Sequence, residues 1–259
     1  MRTLLLSDVH ANLAALEAVL QAASALGWDQ AVSLGDALGY GPNPGEVLDL
    51  LQEVGVRCIA GNHDRWLLDL HPGTDGFLGG SVGAALRWQR ARLNAAQLER
   101  VRGWPEWIEA EVGGRAELAL CRHGSPRSLT TYVDSLARAR EEFADWEGTL
   151  AFVGHTHLPG VYSTLEGPVG DWIKHHPLGG ARTEAVQQLT LPPRARWIVN
   201  PGSVGQPRDG DPRAAFAIFD GERGVLEVHR VAYDLERTQA QLRAAGLPEV
   251  LAARLAEGR

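Results

Sequence analysis

The sequence predicts an α/β domain with a parallel sheet at its centre. Two observations carry this: from Arg2 to Asp64 short apolar runs alternate with segments of helical spacing, and turn residues separate each run from the next. "RTLLLSD" reads as a first strand. "ANLAALEAVLQAASALG" follows with helical periodicity and Gly27 as its stop. "DQAVSLGD" is a second strand, "NPGEVLDLLQEVG" a second helix with Pro44 near its start, and "VRCIAGNHD" a third strand. A βαβαβ series of this kind implies right-handed crossovers and a ligand site beyond the carboxyl ends of the strands.

The remainder continues the mixture. Residues 65–111 ("RWLLDL", "ALRWQRARLNAAQLERV", "WPEWIEA") read as a helical excursion beside the sheet, with most of Trp66, Trp88, Trp104 and Trp107 serving as core anchors and one facing the cleft. "AELALCRHGSP", "GTLAFVGHTHLP", "ARWIVNPGSVG", "AAFAIFD" and "GVLEVHRVAYD" read as further strands. "DSLARAREEFADW" and the tail from Asp234 read as helices, and residues 166–195 as an irregular insertion. Residues 1–259 are expected to form a single domain.

Composition narrows the function. A chain with 44% hydrophobic and 22% charged residues suits a globular enzyme, and no apolar run approaches the roughly 18 residues of a membrane span. The start is too short in its apolar run for a secretory signal, so the expected location is cytoplasmic. Cys58 and Cys121 sit in apolar runs and form no CxxC pair, which argues against a disulfide scaffold or a thiolate zinc site. The net charge of −7 and the lack of a basic stripe disfavour stable nucleic-acid binding.

The polar ends of the strands hold the chemistry. Asp8 and His10 end the first strand, Asp36 the second, and Asn62, His63 and Asp64 the third, while later strands end in His123 and in His155 and His157. Taken singly, Asp8 reads as a helix cap, Asn62 as a turn residue and His123 as a hydrogen-bonded core histidine. Chance placement of all of them after five separate apolar runs is much harder to accept. Carboxylates, imidazoles and a carboxamide together suit hard-to-borderline divalent metals.

In this order D-x-H, G-D-x-x-x-x-G, G-N-H-D, H-G and G-H-x-H resemble the calcineurin-like metallophosphoesterase superfamily. The resemblance runs from about Leu4 to His157. It extends through "NPGSVGQPRDGDPRAAFAIFD" toward the bacterial branch of YfcE-type phosphodiesterases and diadenosine-tetraphosphatase-like relatives. It implies a four-layer α/β/β/α sandwich of two mixed sheets flanked by helices. It also implies two divalent metals, manganese first with iron, zinc, nickel or cobalt as alternatives. Asp8, His10 and His157 would hold one metal, Asn62, His123 and His155 the other, and Asp36 both. The implied reaction is hydrolysis of a phosphate ester by a hydroxide bridging the metals, with His63 as proton donor or transition-state stabiliser; Asp36 and Asn62 count with it as catalytic.

Three positions depart from relatives in the superfamily. Protein serine/threonine phosphatases carry Asp three residues after the bridging Asp and Glu after the catalytic His, where this chain has Gly39 and Asp64. The carboxylate expected to orient the catalytic imidazole is missing, which lowers the protein-phosphatase and close diadenosine-tetraphosphatase readings together. Ala11 replaces a frequent Gly, a change of small cost if the backbone keeps negative φ. Asn12 and Arg208 are candidate substrate contacts, and Asn200 and Ser203 candidate rim residues. The expected substrate is a small phosphorylated molecule, a nucleotide among the candidates, with a phosphodiester preferred over a phosphomonoester or nucleoside polyphosphate. The reading from another class is a metal-binding scaffold without catalysis, whose signature would be a gap in the metal set; this chain has none.

Overall fold

A computed structural model describes residues 1–70, 78–114, 118–165, 172–180 and 184–259. The first strand, β1 (Arg2–Leu6), is followed by α1 (Leu13–Leu26), β2 (Gln30–Ser33), α2 (Pro44–Glu53) and β3 (Arg57–Cys58). β1, β2 and β3 pair in parallel. Helix α1 is capped by Asn12, whose side chain accepts from the Ala15 N–H, and ends at Gly27 with φ +74°.

Three helices come next: α3 (Asn62–Asp69), α4 (Gly80–Arg90) and α5 (Ala95–Arg102). The helical excursion is shorter than expected, because Trp107–Ala110 form strand β4. Pro105 blocks helix continuation, and exposed Trp107 and Glu109 alternate with the more buried Ile108 and Ala110, the two-residue period of a strand. Residues 71–77 of that excursion lie outside the described residues.

The chain then runs through β5 (Ala119–Arg122), α6 (Leu136–Asp145), β6 (Leu150–Phe152), β7 (Gly160–Leu165), β8 (Trp172–Pro177), β9 (Val186–Thr190), β10 (Trp197–Asn200), β11 (Ala214–Asp220), β12 (Val225–Val231), α7 (Leu235–Ala244) and α8 (Glu249–Glu257). Within 166–195, expected to be irregular, β8 and β9 are strands that add to the edges of two sheets. Their polar alternation ("WIKHH", "VQQLT") suits edge strands, which a search for apolar runs overlooks. Residues 166–171 and 181–183 of that stretch lie outside the described residues.

Two mixed six-stranded sheets result, in the orders β3-β2-β1-β11-β12-β9 and β4-β5-β6-β10-β7-β8. Alternation explains their layering. On β1 and β11, Leu5, Ala217 and Phe219 face the other sheet, where Phe152 and Val199 meet them, while Leu4, Leu6, Phe216 and Ile218 face α1 and α2. The second sheet turns Ala151 and Ile198 outward against Phe143 of α6. Both sheets are thus covered on both faces, which is why β1 reads as an unbroken apolar run. The architecture is the expected α/β/β/α sandwich. No helix among the described residues is long and apolar enough to cross a membrane.

Candidate metal centre

The loops that leave β1, β2, β3, β5, β6 and β10 meet at one edge of the sandwich. Asp8, His10, Asp36, Asn62, His63, His123, His155 and His157 are brought together there, all buried. Asp8–His10–His157, His10–Asp36–His63 and Asp36–His123–His155 each place their ligand atoms within 4.8 Å of one another. The Nε2 of His157 lies 3.1 Å from Asp8 Oδ1, and the Nε2 of His123 lies 3.2 Å from Asp36 Oδ2.

Backbone carbonyls set which nitrogen of each imidazole faces inward. His10 Nδ1 contacts the Leu38 carbonyl at 2.8 Å, His123 Nδ1 that of Leu34 at 2.7 Å, and His157 Nδ1 that of Gln206. His155 is turned the other way, with Nε2 at 3.2 Å from the Thr130 carbonyl. A carbonyl only accepts, so each of these nitrogens carries the proton and the other carries a lone pair. The lone-pair nitrogens then face each other: His10 Nε2 and His157 Nε2 at 3.2 Å, His123 Nε2 and His155 Nδ1 at 3.2 Å. Two acceptors at that separation repel unless a proton or a metal cation lies between them. Asp8 Oδ1 and Asn62 Oδ1, buried there without any donor, complete an acceptor-only donor set that fits divalent cations.

The charges agree with this. Burial works against ionisation of Asp8, but His157, His123 and His10 hold its carboxyl well below the usual range. Asp36 is likewise lowered: burial opposes its charge, and His123 and His63 outweigh it. Burial opposes a charge on His123 as well, yet Asp36 and Asp8 push its imidazole up to about 9, so without a metal cation the carboxylates draw a proton onto its Nε2, the place a cation would take. Burial lowers His155 to about 4.

His63 differs from the other four histidines. No carbonyl pins its ring: Nδ1 is buried without a partner, burial holds the imidazole down at about 4, and the ring lines the cleft. Its backbone N–H donates to Asp36 Oδ1 at 2.8 Å. A Cβ on Gly39 (φ +97°) would collide with that Nδ1, so position 39 adjoins the ring but has no room for a carboxylate. Asp64 turns away from His63. It accepts from the N–H groups of Asp36 (2.9 Å), Leu38 (3.0 Å) and Gly61 (2.8 Å), tying the loop after β2 to the loop after β3.

A cleft of about 300 Å³ opens over the cluster, lined by Asp36, Asn62, His63, Tyr40, Trp66 and Arg208 among others. Arg208 donates to the Tyr40 hydroxyl and to Gln206 Oε1, both at 3.2 Å, and its Nε is buried without a partner. Asn12 does not reach the cleft. Besides capping α1 it donates to the Gly205 carbonyl and accepts from Thr238 Oγ1, which commits its side chain to holding the N-terminal end of α1. Ala11 has φ +52°, so the conformation that would have made its substitution cheap is not the one adopted.

Further side chains support the cluster from behind. Ser7 Oγ donates to Asp8 Oδ2 at 2.6 Å, Ser203 Oγ to the Asp8 carbonyl at 2.8 Å, and Asn200 Nδ2 to the Gly154 carbonyl at 2.7 Å. Gln89, on α4, bonds the Gly39 N–H and the Gly41 carbonyl. Asn200 and Ser203 are the two candidate rim residues of the sequence, whereas nothing local marks Ser7 or Gln89.

Residues 1–224 match the calcineurin-like phosphoesterase superfamily domain. An uncharacterized protein of Methanocaldococcus jannaschii is 32% identical over 98% of this chain and 97% of its own length. A crystal structure of a metallophosphoesterase from Sphaerobacter thermophilus covers 100% of this chain and 99% of its own, with 37% identity and a TM-score of 0.81. A hypothetical protein from Pyrococcus horikoshii OT3 shares the fold at 19% identity, with a TM-score of 0.78 over 100% of this chain and 98% of that one.

Proposed function

Since the chain belongs to the calcineurin-like phosphoesterase superfamily, it is a metal-dependent phosphoester hydrolase, and we propose that it holds two divalent cations and acts on a phosphodiester. The observation that carries the two-cation reading is the presence of two separate pairs of facing imidazole lone pairs, each with a carboxylate oxygen beside it. Asp8, His10 and His157 would hold one cation and Asn62, His123 and His155 the other, with Asp36 shared. When bound, the cations would neutralise phosphoryl charge and acidify the attacking water.

The chain's own groups do the rest. The carbonyl contacts of the four pinned histidines fix their ring orientation in advance. Arg208 supplies a guanidinium that has no carboxylate partner among the described residues and is available to the phosphoryl oxygens. His63, free of a carbonyl and facing the cleft, is a neutral imidazole whose one ring N–H is placed to donate to the leaving oxygen. Manganese is the cation to supply first, because an oxygen-plus-imidazole shell accepts it and discriminates weakly among its neighbours.

The test is hydrolysis of bis(p-nitrophenyl) phosphate and p-nitrophenyl phosphate by metal-stripped protein reloaded with manganese, with Asp36→Asn as the blank. Faster diester turnover supports the proposal. Faster monoester turnover replaces it with a phosphomonoesterase, and no turnover by protein that binds two metals leaves the scaffold reading.

A further inference from the structure

Tyr132 lies in the loop between β5 and α6, where that loop crosses the mouth of the cleft. The segment is anchored on both sides of it. The Thr130 carbonyl takes the hydrogen bond from His155, and Val133 is buried against Phe143, Val153 and Tyr162. Between these anchors the Tyr132 ring lies flat on the His155 imidazole, 4.0 Å between centroids and 17° between planes. One face of the ring is therefore used. Tyr132 is nonetheless 43% exposed and lines the cleft, so its exposed area is the opposite face and the edge.

A flat apolar face is out of place beside a cluster of carboxylates and imidazoles unless the substrate covers it. The acceptor cluster and Arg208 handle phosphate; neither has use for an aromatic wall. Trp66 also lines the cleft, with its ring tilted at 5.1 Å from that of His63. A cleft of about 300 Å³ is at the lower end for ligand sites and suits a phosphoryl group with one ring system attached.

Resting on the phosphoester reading above, we propose that Tyr132 is a substrate-stacking residue and that the substrate carries a planar aromatic ring of nucleobase size next to the scissile phosphate. The ring lies on the open face of Tyr132, continuing the stack that begins with His155. The preference for such substrates then comes from one side chain held in place before binding, with little ordering cost when the ring arrives.

The experiment pairs binding with turnover on substrates that differ only in the base. AMP and ribose 5-phosphate are the binding probes, titrated by calorimetry into manganese-loaded protein. The methyl phosphodiesters of the same two compounds are the turnover substrates, followed by chromatography, and phenyl phosphate is a third binding probe that separates a general aryl preference from a base preference. Wild type is expected to bind AMP about tenfold or more tighter than ribose 5-phosphate, the size of one base stack on an aromatic side chain. Tyr132→Ala should remove that difference and Tyr132→Phe should keep it.

Equal binding of AMP and ribose 5-phosphate by wild type overturns the proposal. So does an equal weakening of both probes in Tyr132→Ala, which, with loss of metal content, would mean that the ring only packs His155. Phenyl phosphate binding as tightly as AMP keeps Tyr132 as the stacking residue but overturns the nucleobase-sized ring. If the base preference holds in binding while neither diester is turned over, the phosphodiesterase reading fails and the stacking role of Tyr132 stands.

Discussion

Replacing Asp64 by Asn tests whether one buried carboxylate holds the two loops that carry Asp36, Asn62 and His63. Asp64 Oδ2 accepts from the Asp36 and Gly61 N–H groups, and Oδ1 from that of Leu38. Burial, and then the Asp36 charge, push the carboxyl up to about 7, while the N–H donors pull it down. With both oxygens taken by donors, a proton on either would find no acceptor, so the ionised form is the one the loops are built around. An Asn can present its oxygen to one pair of donors, but its amide group must then face a third N–H. One charge-assisted bond is lost and one buried N–H is orphaned, together costing about 3 kcal/mol. For a domain of this length that is a fall in melting temperature of roughly 6–12 °C. The measurement is a melt of metal-free protein at about pH 8, above the carboxyl's own value, with manganese titration of the same variant by calorimetry. Because the loop that carries Asp36 loses its anchor at the Leu38 N–H, manganese affinity should weaken by about tenfold or more. A variant that melts and binds manganese like wild type would refute the idea that Asp64 positions the bridge.

His63→Gln should slow turnover by about 10²–10³-fold while leaving metal content near two per chain, since the lost group is a proton donor and not a ligand in the assignment above. Metal loss matching that of Asp36→Asn would place His63 among the ligands instead, as its proximity to His10 and Asp36 allows. A third prediction concerns pH. His229 is buried and stacked on Phe216, and burial, opposed by Glu227, holds its imidazole below the ordinary value. The unfolded chain binds a proton near pH 6.5 that the folded chain refuses, so stability should fall as pH drops below about 6.5, at up to about 1.4 kcal/mol per pH unit from this group. His229→Gln should flatten that acid limb in melts of metal-free protein between about pH 5 and pH 7.5; an unchanged limb would mean His229 is protonated in the fold.

What could be read from the sequence follows from how a parallel sheet is made. Strands buried on both faces must be apolar throughout, so polar residues are pushed to their ends, and right-handed crossovers bring those ends to one edge. Asp8, Asp36, Asn62, His123 and His155 could therefore be collected without knowing any distance. Edge strands obey a weaker rule. β4 and β8 carry exposed Trp107 and Trp172 beside polar neighbours, and their strand character comes from the partners they pair with. Tyr132 and Gln89 were invisible for a related reason. Their importance lies in what they touch across the fold, His155 in one case and the loop around Gly39 in the other. Asn12 shows the limit from the other side: a polar residue next to a motif is a candidate substrate contact in sequence, and only the fold shows its side chain engaged in helix capping and two further bonds.

The backbone around the cluster gives a physical reason for that arrangement. Among the described residues, seven that are not glycine have positive φ: Asp8, His10, Ala11, Asp36, Tyr40, His155 and His157. All lie in the loops that form the site. A chain leaving a buried strand must turn sharply if the side chain at its end is to stay over the sheet edge, and left-handed backbone does this in a single residue. Each such residue costs about 1–2 kcal/mol, so the set is sustained only because the surroundings over-determine it. The surroundings here are specific: Asp8 N–H on the Gly35 carbonyl, His10 N–H on that of Asp36, Ala11 N–H on that of Ala37, and Gly205 N–H on that of Asp8. These bonds join the loops after β1 and β2 to each other and to the segment after β10. Strain at the strand ends and cross-loop hydrogen bonding are thus two sides of one device, which fixes Asp8, His10 and Asp36 through the main chain, while the His155 N–H is held by the Asp8 carboxylate.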